Sequence, residues 1–183
     1  METSVPLRNT GLHMFYPVIN GLLFNLAWFA IVATQSPVIA PAVAALYLML
    51  HFWLMGEGRL EAMVVAQVTL LGLVVDRILF MAGVFTIEGA AAAPPLWMLC
   101  IWPVLATTFM HAFSGLQQRP LVASVAGGIG GAASFIAGTR LTDVAFGSEL
   151  FGPIIMATLW AILFPLLLQI PRANRHYWSK NHV

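Results

Sequence analysis

Four side chains able to carry acid–base or metal chemistry, His51, Glu57, Glu61 and His111, stand out in a chain that is otherwise poor in charge. Thr107 and Thr108, four and three residues ahead of His111, share its side of a helix. Imidazole and carboxylate together can act as general acid and base, for instance toward a lipid headgroup, or supply ligands to a metal. The spacing does not choose between these uses. It contains no His-Glu-x-x-His, no carboxylate and histidine at ligand spacing on one helix, and no cysteine pair. Two lone histidines at helix ends also serve as hydrogen-bonded interface residues, and His51 with His111 could ligate a b-type haem axially. No cofactor is identified, and a metal or haem stays open.

A second set is polar where polarity is costly: Asn20, Asn25, Asp76, Arg77 and Thr107 lie inside apolar runs. Asp76 reads as half of a buried ion pair, as a carboxylate bonded to Asn25 or a threonine, or as a proton or cation site.

The elements that must position these residues follow from composition. Of 183 residues, 60% are hydrophobic and 8% charged, against about a quarter charged in soluble domains. Such a chain cannot cover its exterior with polar groups, so lipid must. The net charge of +1 gives no case for nucleic acid or an acidic partner. The single Cys100 can form no internal disulfide. A bilayer core of about 30 Å takes roughly 17 to 25 apolar residues per helix. Six runs qualify, at about 16–34, 38–55, 61–85, 95–115, 121–138 and 149–170. Turn and breaker residues separate them, among them Gln35-Ser36-Pro37, Gly56-Glu57-Gly58, Pro94-Pro95, Gln118-Arg119-Pro120 and Gly147-Ser148. The expectation is an all-α polytopic membrane bundle, one integral domain over residues 1–183. With Arg8, Arg59, Arg119, Arg172, Arg175 and Lys180 on one side and only Arg140 on the other, both termini are expected in the cytoplasm.

On this frame Asp76 sits about 22 Å along the third span from Glu61, past the midplane. Glu61, Val68, Gly72 and Asp76 fall within one sector of roughly 80°, an inner face. Arg77 lies about 100° further round and cannot turn onto Asp76. His51 and His111 each stand about four residues before the end of a span, at similar depth near the cytoplasmic leaflet. In the fifth span Gly127, Gly128, Gly130 and Gly131 make overlapping small-residue pairs that let two helices approach closely, against an internal partner or a second copy. Trp97 reads as a headgroup-level anchor, and Pro103 and Pro165 as kinks.

The serial order of several pieces resembles one family. These are Asn-Leu-Ala-Trp-Phe at 25–29, His51 before a loop with Arg59 and Glu61, Gly72 with Asp76, Pro95-Leu96-Trp97, and the glycines at 127–131 leading to Ala137-Gly138-Thr139-Arg140-Leu141. The chain resembles, from about residue 20 to 170, the bacterial inner-membrane proteins of domain-of-unknown-function family 2878. Arg77 departs from that pattern, in which a small hydroxyl residue usually follows the membrane Asp. The resemblance brings no activity. It implies lipid metabolism by association, since members are often encoded beside genes for fatty-acid modification.

Three functions are then expected to compete. One is an enzyme or accessory subunit in membrane lipid or fatty-acid modification at the cytoplasmic leaflet, acting through His51, His111, Glu57 and Glu61. The second is a small proton-coupled transporter with a cavity lined by Asn25, Asp76 and Thr107. The third is an assembly partner that docks another membrane protein, or a second copy, through its glycines.

Overall fold

In the computed structural model, which describes residues 13–181, the chain is mostly helical. Arg8 lies outside the described residues, as does the side chain of Lys180. Three long helices come first: α1 (Tyr16–Thr34), α2 (Ile39–Leu54) and α3 (Arg59–Met81). A fourth segment is broken into α4 (Leu96–Leu99), α5 (Ile101–Ala106) and a 3₁₀ turn at Thr107–Phe109. Then follow α6 (Pro120–Leu141), α7 (Phe151–Leu167) and α8 (Gln169–Asn181), the last nearly continuous with α7. Four helical stretches are long and apolar enough to cross a membrane: α1, α3, α6 and Phe151–Ser179. The second and fourth of the six expected spans are shorter, Ile39–Leu54 and Leu96–Phe109.

The break in the fourth segment has a local cause. Pro103 offers no N–H and its ring crowds the carbonyl four residues back, at Leu99, which is where α4 ends. Further on, the Thr107 and Thr108 hydroxyls donate to the carbonyls of Val104 and Leu105, at 2.9 and 2.6 Å, and the chain tightens to 3₁₀ geometry.

The expectation of helix alone needs one correction. β1 (Phe85–Ile87) and β2 (Val144–Phe146) form a two-stranded antiparallel ribbon, in the register Phe85↔Phe146, Thr86↔Ala145 and Ile87↔Val144. The third helix stops at Met81, and Gly83, at φ 70°, turns the chain out of it, so Phe85 belongs to a strand and not to a span.

Hydrogen bonds place the elements between two ends. At one end Asn20, His51, Glu61 and His111 meet. At the other, the ribbon joins the exit of α3 to the α6–α7 connection, and Gln35 bonds to Leu141 O and Asp143 N. Each of the six helical segments runs from one end to the other. The outer surface is apolar: Val18, Leu22, Leu26 and Phe29 on α1 and Leu121, Val125 and Ile129 on α6 are exposed at helical spacing.

Close approaches depend on glycine. On α6, a Cβ at Gly127 would lie 2.5 Å from Phe164 Cβ, and one at Gly131 would run into Trp160. The partner of the glycine stripe is therefore α7, within the same chain. Gly130 differs, since nothing lies within 4 Å of a Cβ built there. On α3, Gly72 lies directly beneath the Trp102 indole, which a side chain would strike.

Candidate functional site

Two polar sites occur on the inner face of α3, one at each end of the stretch Glu61–Val68–Gly72–Asp76, and all four of these residues are buried. At the first, His51 comes from the last turn of α2, Glu61 from the first turn of α3, and His111 from the turn after Thr107–Phe109. Glu61 Oε1 lies 2.6 Å from His51 Nε2 and 3.0 Å from His111 Nε2, and Glu61 Oε2 accepts the Glu57 backbone N–H at 2.7 Å. Behind His51, its Nδ1 faces Asn20 Nδ2 at 3.3 Å. The same amide nitrogen reaches Tyr47 OH at 3.1 Å and Thr107 Oγ1 at 3.2 Å, while Asn20 Oδ1 accepts the Ala112 N–H at 3.3 Å. One proton arrangement is consistent with these contacts, the two Asn20 N–H protons being shared among three acceptors. Thr107 donates to Val104 O, and the Tyr47 hydroxyl donates to Thr107, 2.7 Å away. Asn20 donates to His51 Nδ1, and both histidines donate from Nε2 to the Glu61 carboxylate.

Of the four residues grouped from sequence, the structure brings together the side chains of His51, Glu61 and His111. Glu57 is a correction: its carboxylate is exposed, 3.4 Å from Arg175, and only its backbone reaches the cluster. Asn20 and Thr107, expected among the intramembrane polar residues, belong here as well. Tyr47 was missed, although its position one helical turn before His51 was a signal.

Two histidines and a carboxylate, with ligand atoms all within 4.8 Å of one another, are a donor set that zinc accepts. Metal ligation through His51 Nε2 requires its proton to sit on Nδ1, against a hydrogen-bond acceptor. Asn20 presents its NH₂ there, and reversing that amide would strip Ala112 N–H of its acceptor. The cluster as arranged thus favours hydrogen bonding over ligation. Haem fits less well, since the two imidazole centroids are 5.0 Å apart and both Nε2 atoms point at one oxygen, leaving no gap for a porphyrin.

The second site is a cavity of about 490 Å³ bounded by α1, the fourth segment, α6 and α7, within the usual range for small-molecule pockets. Its walls are mainly aromatic and aliphatic, and include Trp28, Trp97, Trp102 and Trp160. Trp97 is buried in this wall, not exposed at a headgroup level as expected. Asn25, Ala126 and Gly130 line the cavity and are exposed, so its mouth opens sideways between α1 and α6. Along α6 the lining runs from Ala126 to Thr142, about 24 Å of helix. Thr107 does not line it; the neighbouring Thr108 does, with Asn25 and Asp76.

Asp76 is the acidic group of this lining. It is 1% exposed, and its Oδ2 accepts the Trp102 indole N–H at 2.7 Å. Its Oδ1 has no hydrogen-bond partner; among the described residues Thr69 Oγ1 is the other buried side-chain atom in that position. The expected partners of Asp76, an arginine, Asn25 or a threonine, are elsewhere. Asn25 donates to Gly21 O at 2.7 Å, and the Arg77 guanidinium turns away to bond Ala92 O.

A family model described as a protein of unknown function (DUF2878) matches residues 17–166. No curated protein and no solved structure matches the chain.

Proposed function

We propose a function from one premise: the chain belongs to the DUF2878 family. On that premise it is a multi-pass protein of a bacterial inner membrane, crossing it six times with both termini in the cytoplasm. It takes a lipid-soluble amphiphile sideways from the bilayer into its cavity, as a binding or accessory subunit in membrane lipid or fatty-acid modification. The two shorter helical segments support the count of six because they run between the same two ends as the long ones. Basic residues support the orientation, since Arg59, Arg119, Arg172 and Arg175 all fall at the end that carries His51 and Glu61. A reporter fused beyond Pro171 is expected to read cytoplasmic, and a periplasmic signal would overturn the arrangement.

The observation that carries the binding role is the cavity's mouth between two lipid-facing helices, with an incompletely satisfied carboxylate inside. Apolar walls with few polar groups bind a molecule that is itself mostly apolar. Gly130→Leu is the test, because a Cβ there has no protein atom within 4 Å and Gly130 is an exposed residue of the cavity lining. The protein is purified in nanodiscs, its bound molecules are extracted, and the extract is analysed by mass spectrometry. The wild-type chain is expected to carry an amphiphile that Gly130→Leu loses at unchanged thermal stability. Equal extracts from both proteins would reject the reading.

A second reading, acid–base chemistry by His51, Glu61 and His111 on a lipid headgroup, draws support from the convergence of the three side chains. It draws support too from His111 lying beside Ala112 and Thr108, which line the inner end of the cavity. Loss of a modified lipid in a His111→Gln strain that still binds the amphiphile would favour it.

A further inference from the structure

The chemistry of the occupant can be narrowed from what Asp76 lacks. Among the described residues no ion pair includes Asp76. Its sequence neighbour Arg77 is committed to Ala92 O on another face of the helix, and Arg140, near the end of α6, is exposed. A carboxylate buried without a countercharge is costly, and a single indole N–H does not offset that cost. Oδ1 remains able to accept. The rest of the lining is mainly apolar, with Trp102 stacked on Trp160 at 5.8 Å between centroids and Phe85 on Phe135 at 5.3 Å, so the rings supply no countercharge.

Each class of head can be set against these features. A carboxylate or phosphate head would meet Asp76 as a like charge. A hydroxyl would satisfy Oδ1 but brings no countercharge, so Asp76 would have to stay protonated to escape the cost. A bare metal ion needs several oxygen ligands at one point, and among the described residues no further acidic or histidine ligand gathers at Asp76. A protonated amine supplies both an N–H for Oδ1 and a positive charge for the carboxylate. We propose that the cavity binds an amphiphilic amine, its ammonium group on Asp76 and its alkyl chain lying along α6 toward Ala126. This rests on the reading of the cavity as an amphiphile site.

The test titrates dodecylamine, 1-dodecanol and dodecanoate into the full chain in phosphatidylcholine nanodiscs. Tryptophan fluorescence is followed, since four indoles line the cavity, and protein-free nanodiscs correct for partitioning. The wild-type protein is expected to bind dodecylamine about tenfold or more tightly than dodecanol, and dodecanoate least. Asp76→Asn, which keeps an oxygen for the Trp102 N–H, is expected to bring the amine to within about twofold of the alcohol, the charge term having gone. Thermal unfolding checks that this variant is folded, and Gly130→Leu should block all three ligands. If alcohol and amine bind alike to the wild-type chain, or the amine preference survives Asp76→Asn, the inference falls and the amphiphile site stands. If none of the three binds, both fall.

Discussion

Glu61 and Asp76 are carboxylates on the same face of the same helix, about four turns apart, at 0% and 1% exposure. They differ in what surrounds them. Glu61 accepts from two imidazoles and a backbone N–H, and behind it His51 Nδ1 is met by the Asn20 amide. Asp76 accepts one indole N–H and borders a void. Equal burial therefore does not mean equal purpose: a closed polar network ties segments together, whereas an open one has capacity left for something that is not part of the chain. Glu61 joins α2, α3 and the fourth segment, and Asn20 brings in α1.

The largest effect should come from opening the closed site. Glu61→Ala leaves two buried imidazoles and the part-buried Glu57 N–H without their acceptor, and is expected to destabilise the protein by about 2 to 6 kcal/mol, at about 1 to 3 for each buried imidazole N–H, read as reversible unfolding in mixed micelles. A loss below about 1 kcal/mol would mean the network does not hold the helices, and the contrast between the two carboxylates would collapse. Next is Gly72→Ala, which drives a methyl into the Trp102 indole. Overpacking of this kind costs about 1 to 3 kcal/mol. It should also displace the N–H that Asp76 accepts, so amphiphile binding and stability should fall together. Asp76→Asn should separate them. Removing an unpaired buried charge is expected to change stability by less than about 1 kcal/mol, in either direction, while the response to ligand changes. If Asp76→Asn unfolds the protein as Glu61→Ala does, Asp76 is a structural group after all.

The contrast was only half visible in the sequence. Period and breakers place the helices, and the 3.6-residue repeat puts Glu61, Val68, Gly72 and Asp76 on one buried face. What completes each carboxylate arrives from other elements. Trp102 reaches Asp76 only because Gly72 lets the indole lie flat on α3, and Pro103 resets the helix that carries it. The ribbon escaped notice because each strand has three residues, too few for an alternating pattern to register, and its halves are separated by the fourth segment and α6. Glu57 looked like a partner of Glu61 by proximity in sequence, but the turn into α3 points its carboxylate out to Arg175 and only its N–H inward.

The smallest expected effect sharpens the comparison most, because it asks whether the closed site is closed to metal. Asn20 donates to His51 Nδ1 and so keeps the proton of His51 on Nε2, where a metal would have to bind. Incubation with zinc followed by desalting should therefore leave the wild-type chain without stoichiometric metal, and a chelator should leave its unfolding temperature unchanged. Asn20→Asp reverses the polarity of that contact. A carboxylate at position 20 would accept from Nδ1–H, move the proton, and free Nε2 to ligate beside Glu61 and His111, the arrangement by which outer carboxylates tune metal-binding histidines. That variant is expected to retain about one zinc per chain by elemental analysis and to become sensitive to chelation. Stoichiometric zinc in the wild-type protein would show that the Glu61 cluster is itself an open site, poised for an ion as Asp76 is for an amine, and the distinction between the two ends of α3 would have to be redrawn.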